Sequence, residues 1–400
     1  MRILFFSPRL CFPLFNGARL REYYLARALS EHAELTYVSF VFPGLPVPAR
    51  EDLPFLREIH ILPLTGRNNP LLVARGLVGR WPLTVVNYER ADMKRTLAEI
   101  LARQKFDLVH LDGTCLAAYV PFLQAAGAGP VVFDWHNIDS ELLWRYSASV
   151  RFPLKKIYAA ITARRMAATE AWLLRSSLGH TVCSAREQGQ LLALEPTARV
   201  QVIDNGVDTG AFSSTAAQSV RDRILFVGAL NYHPNIEAVI WFVRRVWPRV
   251  SASFPHWRLT LVGCHPGPAV RELAEIPGVE VTGTVPDVRP YYREAVAAIV
   301  PLLTGSGTRL KILEGMAAGV PVVSSSLGAE GLAVSPGEDI LIADGEDAWL
   351  PALRSLAADG SRWDALSAAG SQLVRARYDW RVLGERLYQT YSRWLDGEAR

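Results

Sequence analysis

The sequence predicts an α/β protein built from two Rossmann-like β/α/β domains. Three observations predict it. Two apolar strands, Ile3 to Ser7 and Arg223 to Gly228, each open a series in which strands and helices alternate, the order that builds a parallel sheet. A small, polar stretch from Ser213 to Ser219 separates the two series and reads as a linker. The second series then ends on Gly305 to Gly319, which reads as a Gly-rich turn and a helix set between apolar strands at Val296 to Leu303 and Val320 to Ser324.

Composition bounds the function. Four hundred residues, half of them apolar and a fifth charged, suffice for two or three ordinary domains. A net charge of +4 without a long basic run excludes a nucleic-acid partner as the default. Cys11, Cys115, Cys183 and Cys264 lie far apart with no CxxC, the pattern of buried free thiols in a reducing compartment. The apolar start at Met1 is too short for a secretory leader and reads as the first strand. No run of about 18 apolar residues is present to span a membrane. A cytoplasmic enzyme or binding protein fits.

In chain order, a Pro- and aromatic-rich loop from Pro8 leads to Gly17 and a helix over residues 18–30. That helix opens with Arg19 and Arg21 before its first acid, Glu22. A strand spans 35–42, and no GxGxxG fingerprint for a dinucleotide is present. Residues 43–82 read as irregular, 88–104 as a helix, and 106–113 and 130–134 as strands. The second of these runs into Trp135, His136 and Asn137. Polar residues at the carboxyl end of a parallel strand line the ligand crevice of open α/β sheets, which makes His136 a site candidate; a histidine hydrogen-bonded in the core is the alternative. Residues 140–175 read as helical, mixing Lys155, Lys156, Arg164 and Arg165 with Leu154, Ile157, Tyr158 and Ile161. This is either a basic amphipathic face for peripheral contact with anionic lipid or a solvated helix face. Short strands at 181–185 and 200–203 and a turn at 204–208 precede the linker. The second series continues with strands at 259–263 and 279–283 and a last short strand at 340–343. A helical tail over 349–395 carries Leu383, Leu387, Tyr391 and Trp394 at helical spacing.

The helix after Gly305 breaks a local rule. With Thr308 as N-cap and Gly319 as the C′ stop, its first turn holds Arg309 and Lys311, and its first acid is Glu314. Cations at the positive end of a helix cost roughly 0.3–1 kcal/mol each when exposed. They make sense where an anion such as a phosphate sits on the unpaired amides; otherwise both side chains bend away into water.

Three stretches carry a family resemblance: Asn16-Gly17-Ala18-Arg19, the Val202–Asp208 segment with its Asn-Gly-Val-Asp turn, and Gly307 to Val323, the most specific. Together they resemble glycosyltransferase family four over essentially the whole chain. The resemblance implies the GT-B fold: two Rossmann-like domains facing across a cleft, with a C-terminal helix crossing back to the first. The domains would be residues 1–212 for the acceptor, 220–377 for the nucleotide-sugar donor, and 378–400 for the crossover helix, with Trp380 and Trp394 on the first domain.

The implied reaction moves a sugar from a UDP- or GDP-sugar to a saccharide or lipid-linked acceptor, with retention, in polysaccharide assembly. Glu314 would hold the ribose hydroxyls. Arg309 and Lys311 would hold the diphosphate with the helix-start residues Gly307, Thr308 and Leu310, and neutralise the leaving group. Gly17 and Gly228 would lie close to the donor, and Thr284 and Val285 would meet the base. His136 would stand near the anomeric carbon, with Arg19 and Asn137 toward the acceptor. No cofactor and no metal is expected. Two departures stand out. Ser306 occupies the position of a glutamate that usually contacts the donor sugar, and Ala229 to His233 lack the Arg/Lys pair that many members carry there. Arg309 and Lys311 would supply those charges instead. A sugar-nucleotide epimerase of the same fold, or a degenerate module that only binds nucleotide, are the alternatives.

Overall fold

The computed structural model describes residues 1–14, 17–213, 221–305 and 309–397. Phe15, Asn16, the linker residues 214–220, Ser306, Gly307, Thr308 and residues 398–400 lie outside the described residues. The chain forms two compact units, Met1–Asp204 with Leu383–Arg400, and Asn205–Val382. The resemblance implies domains of 1–212 and 220–377 with a crossover helix from 378; the compact units divide at 204/205 and 382/383. Residues 205–213 join the second unit because Val207 pairs with Asp379 and Thr209 hydrogen-bonds the Asp379 carboxylate.

The first unit is a seven-stranded sheet of β1 (Arg2–Ser7), β2 (Glu34–Val41), β3 (Glu58–Pro63), β4 (Leu108–Asp112), β5 (Val131–Trp135), β6 (Gly179–Val182) and β7 (Val200–Val202). The order is β3-β2-β1-β4-β5-β6-β7, and every pairing is parallel. Helices cover both faces, so β1, β4 and β5 are buried on each side and read as near-continuous apolar runs. The β3 strand falls in the segment expected to be irregular. It is a half-buried edge strand ending in Pro63, with Glu58 and His60 alternating with Ile59 and Ile61, which gives only a short apolar signal. The expected 140–175 helix is two helices, Asp139–Ser149 and Pro153–Ser176. Proline cannot continue a helix but is tolerated in its first turn, and Val150 turns extended ahead of it.

The second unit is a six-stranded parallel sheet of β8 (Arg223–Val227), β9 (Arg258–Val262), β10 (Val279–Gly283), β11 (Ala295–Val300), β12 (Val322–Ser324) and β13 (Leu341–Ile342), in the order β10-β9-β8-β11-β12-β13. Alternate residues feed two cores: Ile224, Phe226, Leu259 and Ile299 on one face, Leu225, Val262, Ala298 and Val300 on the other. The helix after β11 is Leu310–Ala317, with Arg309 at the cap position rather than Thr308. Leu313 and Ala317 are buried as their spacing requires, and Gly319 ends the helix at φ +71°, a conformation only glycine adopts cheaply.

The tail divides into helices Trp349–Ala358, Gly360–Leu373 and Trp380–Leu395. The last begins within the second unit, where the Trp380 amide bonds to Val207. From Leu383 onward it belongs to the first unit, burying Leu383, Leu387, Tyr391 and Trp394. There Tyr391 hydrogen-bonds His110 at 2.7 Å, the Trp394 ring covers Gly179, and Gly384 lets the helix pass against Ala28. Trp380, expected on the first domain, is therefore corrected to the second unit.

Candidate active site

Open parallel sheets offer a ligand crevice outside the strands' carboxyl ends, where the strand order reverses. The reversals here fall between β1 and β4 in the first unit and between β8 and β11 in the second. Gly228, Arg309, Leu310, Lys311 and Glu314 lie at the second of these points, while His136 and Asn137 follow β5 and Thr284 and Val285 follow β10.

In the second unit β8 runs into Gly228, and the helix after β11 brings Lys311 across it. A Cβ on residue 228 would lie 2.7 Å from Lys311 Nζ and 2.9 Å from Asn235 Nδ2, so a larger residue would push both side-chain tips aside. Lys311 donates to Asn235 Oδ1 at 2.8 Å, and its ammonium stands 4.0 Å over the Phe226 ring. Asn235 is held in turn by donating to the Ala229 carbonyl at 2.9 Å. Burial lowers the Lys311 pKa to about 7; Glu314 opposes this shift and Arg309 adds to it. Glu314, one turn along the same helix face, accepts a hydrogen bond from the Tyr292 hydroxyl at 3.4 Å. Burial raises its pKa against the pull of Lys311 and Tyr292. Arg309 is 8% exposed, and burial depresses its pKa. Leu310 packs half-buried on the core below. Thr284 is exposed and Val285 half-buried in the loop after β10. Two desolvated cations and a carboxylate thus share one helix start beside a strand end. Gly307 and Thr308, expected to contribute amides here, lie outside the described residues.

In the first unit His136 follows β5 and is mostly buried. Its Nε2 lies 2.8 Å from Asp112 Oδ1 at the end of β4. Asp112 is fully buried, which works against its charge, but His136 and Arg9 outweigh burial and hold its pKa below the usual carboxylate range. A cavity of about 670 Å³ opens beside them, lined among others by Arg9, Gly113, His136, Asn137, Tyr146 and Tyr158. Burial works against the Arg9 charge, yet Asp112 and Glu22 raise its pKa.

Two sequence expectations change here. Arg19, expected at the acceptor, is 4% exposed, donates to the Pro13 carbonyl at 3.2 Å and does not line the cavity. Arg21 does not repeat the pattern of Lys311 either. It forms a buried two-pronged ion pair with Asp134 at 2.7 Å per arm and donates to the Ile203 and Asp204 carbonyls, tying the first helix to β5 and to the chain after β7. Gly17 opens the helix Gly17–Leu29 and is exposed.

Among the described residues, Asp112, Asp134 and His136 bring donor atoms within 4.8 Å of one another, close enough for a metal. The Asp134 oxygens already serve Arg21 and Thr181, and the Asp112 oxygens serve His136 and Ser7. Arg21 thus already sets a cation against this cluster, and the hydroxyls of Thr181 and Ser7 fill further carboxylate lone pairs.

Sequence reasoning missed Arg9, Asp112, Asn235 and Tyr292. Asp112 and Arg9 carried a usable signal, a charged residue just at or past the end of a buried strand. Asn235 and Tyr292 carried none, because their roles depend on which helix lies beside them.

This fold and these strand-end clusters define a GT-B-type architecture. The chain belongs to glycosyltransferase family four: the profile of Glycosyltransferase Family 4 matches residues 15–211, and that of Glycosyl transferases group 1 matches residues 221–359. A phosphatidyl-myo-inositol mannosyltransferase of Mycolicibacterium smegmatis is 24% identical over 308 residues, 74% of each chain. The chain spans about a third to three fifths of the length of the first curated relatives it matches. Among solved structures, a sucrose-phosphate synthase from Thermosynechococcus elongatus superposes with a TM-score of 0.69 at 17% identity, covering 99% of this chain and 100% of that one. The Anabaena protein HepE, in complex with UDP and glucose, superposes with a TM-score of 0.63 at 15% identity, covering 97% and 99%.

Proposed function

We propose that this protein transfers a sugar from a nucleoside-diphosphate sugar to a saccharide or lipid-linked acceptor, with retention and without a metal. The observation that carries the reading is the Gly228–Lys311–Asn235–Glu314 cluster at the β8/β11 reversal. A lysine kept partly uncharged by burial, with Arg309 beside it, suits an anion that arrives with its own charge. The diphosphate restores full protonation, and both cations stabilise it as the leaving group. They stand in for the Arg/Lys pair that Ala229 to His233 lack. Glu314 accepts the ribose hydroxyls, and the loop at Thr284 and Val285 meets the base. Support for UDP comes from the Anabaena structure's ligand.

In the first unit the acceptor occupies the cavity at His136 and Asn137. Asp112 orients the His136 ring, and Arg9 gives the cavity a positive wall. The leaving phosphate takes the acceptor proton on the face from which it departs. Four free cysteines fit a reducing, cytoplasmic location.

The test is a thermal-shift screen of UDP-, GDP- and ADP-sugars followed by transfer assays. At a hundredfold excess over Kd the right donor stabilises by about 2.7 kcal/mol, and Glu314→Ala loses that shift. His136→Ala keeps donor binding while transfer falls by about 10²-fold as the acceptor loses its positioning. A donor shift retained in full by Glu314→Ala, or transfer untouched by His136→Ala, overturns the assignment.

A further inference from the structure

We propose that the first unit docks on an anionic membrane surface through the helices Asp139–Ser149 and Pro153–Ser176, joined by Pro70–Val78. Most of the large apolar side chains left exposed among the described residues lie on these three helices, including Trp144, Leu154, Ile157 and Ile161, and Phe152 adds another in the turn between the first two. Leu154, Ile157 and Ile161 fall on one helix face at i, i+3 and i+7. Leu71 and Val78 on the Pro70–Val78 helix are 82% and 87% exposed. Arg165 ties that helix to the long one by donating to the Leu77 carbonyl at 2.9 Å and to the Gly79 carbonyl. A stretch this apolar left in water marks a contact surface.

Charge identifies the occupant. No acid occurs between Glu141 and Glu170, while Arg145, Arg151, Lys155, Lys156, Arg164 and Arg165 do. Arg151, Lys155, Lys156 and Arg164 are exposed and form no ion pair among the described residues. Aromatic and aliphatic side chains flanked by unpaired cations match the boundary between anionic headgroups and acyl chains. A second copy of the same face would bring like charges together in a two-fold interface. No helix among the described residues is long and apolar enough to cross a membrane, so the contact is interfacial.

The same two helices supply Leu142, Leu143, Tyr146, Tyr158 and Thr162 to the cavity beside His136. Docking would therefore present that cavity to an acceptor held in the bilayer. This consequence rests on the transferase reading; the docking itself does not.

The test is co-sedimentation of the full chain with phosphatidylcholine vesicles and with vesicles rich in phosphatidylglycerol. The protein should pellet with the anionic vesicles at low salt and be released by high salt. Lys155→Glu with Lys156→Glu should lower partitioning on the order of tenfold or more, since each cation near such a surface is worth about fivefold. Trp144→Ser with Ile157→Ser should weaken binding even at low salt. Both variants should keep the wild-type circular dichroism and donor-induced thermal shift. Failure to pellet with anionic vesicles, pelleting unchanged in both variants, or a dimer dissolved by the apolar substitutions overturns the proposal. The vesicle assay contains no donor, so its failure is separable from failure of the donor screen.

Discussion

Replacing Lys311 by methionine tests the donor grip most directly. In the folded protein burial lowers the lysine pKa from 10.5 to about 7. That shift corresponds to a penalty on the order of 5 kcal/mol on the charged form. Because the folded pKa lies below the unfolded one, the unfolded chain holds the extra proton between pH 7 and 10.5, and stability from this group rises with pH across that window. Below pH 7 the penalty is complete. Lys311→Met removes it, partly offset by about 1–3 kcal/mol from the Asn235 amide oxygen left without its donor. The ligand-free variant should thus melt higher than wild type at pH 6.

Binding should change in the opposite sense. A nucleoside diphosphate restores the ammonium, so above pH 7 binding must take up a proton and affinity should fall by up to about tenfold per pH unit toward pH 9. The diphosphate itself is almost fully ionised there. A nucleoside should show no such slope. In Lys311→Met the slope should vanish and diphosphate affinity should drop by about 10–100-fold, the worth of a charge-assisted hydrogen bond. Calorimetry in two buffers of different ionisation enthalpy reads the proton uptake directly. An unchanged pH slope in the variant, or an equal loss for the nucleoside, would refute this account of Lys311.

Two further outcomes follow from named contacts. Gly228→Ala places a methyl 2.7 Å from Lys311 Nζ and displaces the lysine tip, so titration should show a loss of diphosphate affinity smaller than that of Lys311→Met, with secondary structure intact by circular dichroism. Arg21→Met leaves the buried Asp134 carboxylate without its cation, with only the Thr181 hydroxyl among the described residues still donating to it, and urea denaturation should show a loss of about 3–5 kcal/mol. Adding Asp134→Asn should recover part of that loss. In wild type the Asp134 pKa is depressed, with Arg21 outweighing burial, so the pair's contribution is full above pH about 4 and drains away as acid protonates the carboxyl.

The alternation of apolar runs and helices set out both sheets, since a parallel sheet buried on two faces writes itself as short continuous apolar stretches. The β3 strand escaped because an edge strand is half-exposed and its apolar run is broken by Glu58 and His60. His136, Lys311 and Glu314 were legible because each breaks a local preference: a histidine at a strand end, a cation at a helix start, an acid within an apolar helix. Arg19 and Arg21 broke the same preference for another reason. Their helix start lies over a carbonyl at Pro13 and a carboxylate at Asp134, and neither is visible from neighbours in sequence.

The sequence by itself determined the alternating order, the helix stop at Gly319, and the presence of misplaced charges, because periodicity and helix-end preference are properties of adjacent residues. Only the tertiary structure decided which charges were already matched. Asp134 claims Arg21 from 113 residues away, and Asn235 holds Lys311 from 76 residues away without neutralising it. Whether a buried cation is a structural tie or a ligand grip depends on what the fold brings against it, and that is fixed by strand order and helix packing, which local sequence does not encode.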